Sequence, residues 1–176
     1  STTARPDGGY QVETSNGNIH ADHVIAATGP FQIPVIPSIV PDGAVSQMHS
    51  FDYQNPQQLQ DGAVLVVGAG SSGAQIATEL LESGRKVYLS IGPHDRPPRS
   101  YRGKDFVWWL GALGKWQMQI PPLGKKHVTI AVSGVNGGET VDFRKLADRG
   151  MILLGRTEAY ENGVISIADD LTKNIN

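Results

Sequence analysis

The residues whose types and spacing most clearly suggest a binding site form a glycine-rich run, Gly68-Ala69-Gly70-Ser71-Ser72-Gly73. In this spacing Gly68 permits a sharp turn, Gly70 lets a pyrophosphate approach the backbone, and Gly73 lets a helix pack closely on a sheet. The start of that helix offers free N–H groups and a partial positive charge to phosphates, and the hydroxyls of Ser71 and Ser72 are further donors. The run, which we call the glycine turn, predicts a dinucleotide site; the alternative is a turn without a ligand.

The residues after the next strand distinguish NAD from NADP. An NAD site usually has Asp or Glu about 20 residues after the glycine motif, where the carboxylate binds the ribose hydroxyls. Here Ser90 occupies that place, and the loop 92–104, which we call the arginine loop, contributes Arg96, Arg99 and Arg102. A guanidinium matches a phosphate in geometry and charge. Ser90, Arg96 and Arg99 are therefore predicted to favour the 2′-phosphate of NADP; the alternative is a solvated basic loop.

The elements around the glycine turn predict a βαβ unit. Residues 63–67 are a short apolar run typical of a buried strand, and residues 74–81 carry apolar side chains at helical spacing. Gly84 can end the helix in a left-handed conformation, and residues 86–91 return as a second strand. We expect parallel strands joined by a right-handed crossover. The predicted fold is α/β, a Rossmann-like dinucleotide-binding domain with a central parallel sheet flanked by helices.

The sequence before this unit predicts antiparallel structure and then a linker. Residues 9–22 read as a hairpin, because apolar and polar side chains alternate on both sides of a turn at 15–18. The continuous apolar run Val24-Ile25-Ala26-Ala27 predicts a strand buried on both faces, ending at Thr28-Gly29. Residues 31–41 contain three prolines and predict an extended linker, which is the best domain boundary in the sequence.

Shorter signals follow the arginine loop. They predict a helix capped by Asp105, a strand at 128–132, a helix at 142–147, a strand at 151–154, and a second hairpin closed by Asn162-Gly163.

The composition limits the kinds of site that this sequence can form. A net charge of −2 gives no general attraction to nucleic acid or anionic membrane, and no apolar stretch approaches the length of a membrane span. The first residues lack the apolar core of a signal peptide, so a cytoplasmic setting without membrane or nucleic-acid partners is predicted. With no cysteine, five scattered histidines and no Gly-x-Ser-x-Gly motif, we predict neither a metal site nor a catalytic residue.

Three features together resemble flavin-containing monooxygenases and Baeyer-Villiger monooxygenases. The first is the apolar run ending in Ala27-Thr28-Gly29, which is similar to the run that closes the first part of their FAD domain. The second is the glycine turn, placed about forty residues later, as in their NADP domain. The third is the stretch 101–110, similar to one that follows the NADP strand pair in bacterial members. The first two features recur in many two-dinucleotide flavoproteins.

The resemblance implies a domain organisation and a role. Residues 1–40 are then a segment of an FAD domain with its linker, residues 41–168 an inserted NADP-binding domain, and residues 169–176 the start of the return to the FAD domain. The same resemblance assigns Ala27, Thr28 and Gly29 to cofactor binding. The implied role is to position the nicotinamide of NADP(H) for hydride transfer to FAD, with the remaining FAD domain as a partner. Since no earlier glycine motif for FAD is present, the chain is expected to be part of a longer enzyme, without bound FAD and inactive alone.

Two alternatives stay open. One is an NAD(P)H-dependent flavoprotein reductase of another two-dinucleotide family; the absence of cysteine argues against the thioredoxin reductase type, which keeps a Cys-x-x-Cys pair in its NADPH domain. The other is a non-catalytic nucleotide-binding or interaction module, with Trp108, Trp109 and Trp116 as a docking surface. Alternating exposure of adjacent tryptophans favours ordinary core and interface packing instead.

Overall fold

The computed structural model of the protein describes residues 1–27, 33–117, 119, 129–134 and 137–175. The chain divides into two compact units, Ser1–Pro34 and Val35–Asn176. Among the described residues, none of the helices combines the length and the apolar character that crossing a bilayer requires.

The first unit is a three-stranded antiparallel sheet. Its strands are β1 (Thr2–Ala4), β2 (Tyr10–Thr14) and β3 (Gly17–Ala21), in the order β1-β2-β3. Val12 pairs with Ile19 across the predicted hairpin, and Gly17 adopts the positive φ of +110° that the turn requires. The alternation of side chains and the Asn-Gly turn therefore predicted this hairpin correctly.

The apolar run that follows is not the buried strand that we predicted. Residues 24–27 form no strand, and the side chains of Val24 and Ile25 are 42% and 89% exposed. A strand buried on both faces needs paired neighbours at its edges and packed layers above and below. The described residues of the first unit supply one small antiparallel sheet, so the apolar pattern alone is not sufficient.

The second unit is built around a parallel sheet. Its strands β4 (Val64–Val67), β5 (Val87–Ser90) and β10 (Ile152–Leu154) lie in the order β10-β5-β4, and helix α1 (Ser71–Glu82) connects β4 to β5. This confirms the predicted βαβ unit. The helix buries its apolar face on the sheet in a core of Ala69, Ala74, Ala77, Leu80, Val87, Leu89, Ile91, Phe143, Leu146 and Met151.

Several short elements extend from this sheet. After β5 come β6 (His94–Asp95), the hairpin of β7 (Ser100–Tyr101) and β8 (Lys104–Asp105), and helix α2 (Phe106–Ala112). Strand β9 (Thr129–Ile130) pairs in parallel with β6. The side chain of Asp105 caps α2 by accepting a hydrogen bond from the N–H of Val107, as predicted. Because β9 contains only Thr129 and Ile130, the strand predicted at 128–132 is shorter than expected. Val128 lies outside the described residues.

The end of the chain folds back onto the parallel sheet. Helix α3 (Phe143–Asp148) is capped by Asp142 and leads into β10. Strands β11 (Thr157–Glu161) and β12 (Val164–Ile167) form the predicted second hairpin, with positive φ angles at Asn162 and Gly163. Helix α4 (Leu171–Ile175) follows. The described chain is thus a mixed α/β structure with a three-stranded parallel sheet, a two-stranded parallel sheet of β6 and β9, and three small antiparallel sheets.

Candidate functional site

The glycine turn is fixed by its backbone. Gly68 has a φ of +100°, and its N–H donates to the carbonyl of Ser90 at 3.0 Å, so the turn is tied to the end of β5. A Cβ on Gly73 would lie 1.9 Å from the carbonyl oxygen of Gly68. That separation is far inside van der Waals contact, so the first turn of α1 reaches its present distance from the strand only because residue 73 is glycine.

The N-terminus of α1 is open to an anion. Gly70 is the N-cap residue and has no side chain with which to cap the helix, and the first turn contains no acidic residue. The first N–H groups of a helix have no intrahelical partner and carry a partial positive charge, so they attract phosphate groups. Ser72 is exposed beside them, whereas the Ser71 hydroxyl accepts a hydrogen bond from the N–H of Val132 at 3.1 Å. Ala69 is buried beneath the turn.

An open cleft of about 170 Å³ lies beside this helix end. It is located at the carboxyl ends of β4 and β5, where open parallel sheets bind their ligands. Its lining consists of Gly68, Ala69, Gly70, Gly92, Pro93 and His94. The lining contains no carboxylate, so nothing in it repels a phosphate group.

His94 is the titratable side chain of the cleft lining, and the sequence analysis did not select it. Its Nδ1 lies 2.8 Å from the carbonyl oxygen of Gly92, which can only accept, so Nδ1 carries the hydrogen. The ring packs edge-on against Phe143 at a centroid distance of 5.2 Å. Its Nε2 is buried without a hydrogen-bond partner among the described residues. The position of His94 just after β5, where a ribose-binding side chain usually lies, could have identified it from the sequence as a candidate site residue.

Ser90 points into the fold and does not line the cleft described above. The residue is 2% exposed, and its hydroxyl donates to the carbonyl of Gly155 at 2.9 Å. The same oxygen accepts hydrogen bonds from the N–H and the hydroxyl of Thr157, at 2.9 and 2.8 Å. Ser90 therefore joins the end of β5 to the segment that enters β11, and its part in cofactor binding stays a prediction.

Arg96 and Arg99 lie close to the cleft in sequence but are already bonded to the protein. Arg96 donates to the carbonyl of Ile175 at 2.7 Å and lies over the ring of Phe143, 4.9 Å from its centroid. Burial lowers the pKa of Arg96, and the positive charge of Arg144 lowers it further. A guanidinium nevertheless stays protonated in proteins.

Arg99 forms an ion pair with Asp105, with Nε and Oδ2 separated by 2.8 Å. It also donates to the carbonyl of Ser133 at 3.2 Å. These contacts hold the arginine loop in place, and binding of a 2′-phosphate by Arg96 and Arg99 stays a prediction.

The second predicted cofactor segment belongs to the first unit. Ala27 is exposed and lies outside any strand, while Thr28 and Gly29 lie outside the described residues. Among the residues that the structure describes, no three His, Asp or Glu side chains are grouped so as to hold a metal ion.

Comparisons with known proteins give a consistent result. A family model described as pyridine nucleotide-disulphide oxidoreductase matches residues 2–111. The chain is similar to the uncharacterized oxidoreductase CzcO-like of Geobacillus kaustophilus, with 42% identity over 92% of this chain and 46% of that protein. The corresponding values for the oxidoreductase CzcO of Bacillus subtilis are 32%, 95% and 48%.

A more distant similarity links the chain to a eukaryotic enzyme. The flavin-containing monooxygenase iboF of Amanita muscaria is 43% identical over 52% of this chain and 18% of that protein. No solved structure matches the chain significantly. The chain spans about half the length of the two bacterial relatives.

Proposed function

The chain belongs to the family of pyridine nucleotide-disulphide oxidoreductases, and from that premise we propose that it is the NADP(H)-binding portion of a flavin-dependent, monooxygenase-like oxidoreductase. Its role is to hold NADPH so that the nicotinamide faces FAD, which receives the hydride. NADPH supplies the reducing chemistry when it is bound, whereas the protein supplies orientation and electrostatics.

The observation that carries this proposal is the close approach of Gly73 to the carbonyl of Gly68. Because residue 73 has no Cβ, the first turn of α1 packs against the Gly68 carbonyl, and the N-terminus of the helix lies at the carboxyl ends of the parallel strands β4 and β5. A pyrophosphate in the adjacent cleft would accept hydrogen bonds from the free N–H groups of the helix, and the exposed Ser72 hydroxyl would add one more donor. The same geometry is typical of Rossmann-like dinucleotide sites.

The choice of NADP over NAD rests on charge. The cleft lining offers no carboxylate to pair with the 2′- and 3′-hydroxyls of NAD. The arginine loop next to it offers guanidinium groups, each with five N–H donors. The contacts described above use one donor of Arg96 and two of Arg99. Both side chains therefore retain donors for a 2′-phosphate, and Ser90 acts as a positioning residue that fixes the end of β5.

The domain organisation follows from the same proposal. Residues 1–40 belong to an FAD domain with its linker, residues 41–168 form the NADP-binding domain, and residues 169–176 begin the return. In this arrangement Ala27, Thr28 and Gly29 contribute to the FAD side of the enzyme. The chain on its own binds NADPH without catalysing oxygenation.

The experiment that tests the proposal is calorimetric titration of the purified chain with NADPH, together with its visible absorption spectrum. We expect saturable binding of one NADPH per chain and no flavin absorbance. Failure to bind NADPH by correctly folded protein would overturn the nucleotide-binding role. Stoichiometric bound FAD would contradict the assignment of the chain to the NADP(H) side.

A further inference from the structure

One segment of the sequence has a composition unlike the rest of the chain. Residues 96–138 contain seven of the fifteen Lys and Arg residues but one of the seventeen acidic residues, so their formal net charge is +6 and that of the remainder is −8. All three tryptophans lie in the same segment. The overall net charge of −2 therefore conceals two regions of opposite sign.

Within this segment, large apolar side chains remain in contact with solvent around helix α2, which buries none of its residues. Leu113, which caps the end of α2, and Trp116, in the 3-10 turn that follows, are 64% and 60% exposed. We call the set the tryptophan patch; its members are Tyr101, Val107, Trp108, Leu113 and Trp116.

Aromatic contacts connect several members of the tryptophan patch to helix α2. The indole N–H of Trp109 donates to the carbonyl of Tyr101 at 3.0 Å, and its ring lies 4.9 Å from that of Trp108. Trp116 folds back onto α2 at Gly111, where a Cβ would lie 2.6 Å from the indole nitrogen. The half-buried Trp109 thus links the hairpin to the helix, and Gly111 makes room for Trp116.

Positive charges lie among these apolar side chains. The Lys104 ammonium is 5.5 Å from the centroid of the Trp108 ring, and the Arg102 guanidinium is 5.3 Å from that of Tyr101. Lys115 is exposed next to Trp116. Asp105 is the acidic residue of the segment, and its carboxylate is paired with Arg99. Exposed apolar and cationic side chains therefore lie side by side in the patch.

We propose that the tryptophan patch docks the protein on an anionic lipid surface. Tryptophan and tyrosine favour the interface between headgroups and acyl chains, and neighbouring Lys and Arg side chains bind acidic headgroups. Single-stranded nucleic acid also binds exposed aromatic rings among positive charges, and the test below separates it from lipid. A second copy of the chain would bring two cationic patches together, which like-charge repulsion opposes.

The test uses vesicles and the fluorescence of the chain's own tryptophans. Because every tryptophan lies in or directly beneath the patch, the emission reports on this surface without a background from elsewhere. We expect a blue shift and co-sedimentation with vesicles of equal phosphatidylcholine and phosphatidylglycerol, and neither with pure phosphatidylcholine. Half-molar salt should weaken the binding, since it screens surface charges.

A charge variant and a matched control separate this surface from general electrostatics. The double variant Lys104→Gln/Lys115→Gln should bind anionic vesicles about 30-fold more weakly, since each cation near such a surface contributes about a factor of 5. Lys145→Gln/Lys173→Gln removes the same charge from exposed positions outside the patch and should bind like the unaltered chain. NADPH affinity should be unchanged in both, which keeps this test independent of the nucleotide site.

Three results would overturn the proposal. The first is the absence of vesicle binding, or equal binding to neutral and anionic vesicles. The second is an equal loss in the patch variant and the control variant. The third is binding of single-stranded DNA, or patch-dependent dimerisation, by protein that does not bind vesicles, because the surface would then serve another partner.

Discussion

The glycine turn and the arginine loop follow neighbouring strands of one parallel sheet, yet they are held in different ways. Backbone geometry alone fixes the glycine turn, through a positive φ at Gly68 and the close contact at Gly73. Side-chain bonds fix the arginine loop, through Arg96 and Arg99. On the proposed function, pyrophosphate binding depends on the absence of side chains, whereas cofactor preference depends on side chains that also form bonds within the protein.

Substitution of Gly73 by Ala should have the largest effect. Its Cβ cannot occupy the space next to the Gly68 carbonyl, so the helix start must shift. We expect a loss of about 1–3 kcal/mol in the free energy of unfolding and a decrease of at least about tenfold in the affinity for NADPH. Thermal unfolding and calorimetry measure the two effects.

Gly134→Ala is the matched control for this substitution, because among the described residues a Cβ there meets no atom within 4 Å and Gly134 is not held at a left-handed φ. It should leave stability and affinity unchanged. Full NADPH affinity in the Gly73 variant would break the account of the glycine turn.

Ser90→Ala should come next in magnitude. It removes the buried hydroxyl that forms hydrogen bonds with Gly155 and Thr157. Buried groups left without a hydrogen-bond partner lower the free energy of unfolding by about 1–3 kcal/mol. Because Ser90 acts through the position of β5, affinities for NADPH and NADH should fall by the same factor. The exposed Ser166→Ala is the control. A loss confined to NADPH would instead assign Ser90 a direct contact with the 2′-phosphate.

Arg96→Gln and Arg99→Gln should change selectivity more than stability. The ion pair of Arg99 is partly exposed, and such pairs contribute about 0–1 kcal/mol. Loss of a charged donor to a phosphate should weaken NADPH binding about tenfold in each variant and leave NADH binding unaltered. Arg149→Gln removes a comparable ion pair with Glu82, outside the cleft lining, as a control. An unchanged ratio of NADPH to NADH affinity would place the selectivity elsewhere.

The smallest effect concerns Asp170, which precedes α4. The N–H of Arg156 donates to its carboxylate at 2.9 Å and holds the pKa of Asp170 below its usual value. A carboxyl whose pKa is lower in the folded state stabilises the fold above its unfolded pKa, and this stabilisation is lost as the pH falls through the folded value. The melting temperature should therefore fall less steeply below about pH 4 in Asp170→Asn than in the unaltered chain. An equal change in the exposed neighbour variant Asp169→Asn would contradict this assignment.

The parts of the fold predicted correctly are those with local causes. Apolar periodicity, glycine at required positive φ angles, and an Asp side chain at a helix start determine the βαβ unit, both hairpins, and the cap at Asp105. The resemblance to flavin-containing monooxygenases, drawn from short motifs, is likewise confirmed by the relatives. These features need few residues beyond their immediate neighbours in sequence.

The parts that sequence did not reveal depend on distant partners. Residues 24–27 have the pattern of a buried strand, but the described residues of their unit provide no layers to cover it. The hydroxyl of Ser90 forms hydrogen bonds with residues more than sixty positions away in the sequence. No local sequence pattern predicts these contacts. His94 reaches the cleft because a carbonyl and an aromatic ring hold its imidazole there.

The averaged charge of the chain conceals a local feature of the same kind. A net charge of −2 predicts no general attraction to anionic surfaces, and this stays a prediction, while residues 96–138 carry a formal net charge of +6 and every tryptophan. Charge has to be evaluated region by region before partners are excluded.

The measurement that tests the central claim most directly is a side-by-side calorimetric titration of the chain with NADPH and with NADH. The account predicts that both bind through the glycine turn and that NADPH binds more tightly, because its 2′-phosphate gains the guanidinium groups of the arginine loop. Equal affinities, or tighter binding of NADH, would contradict it.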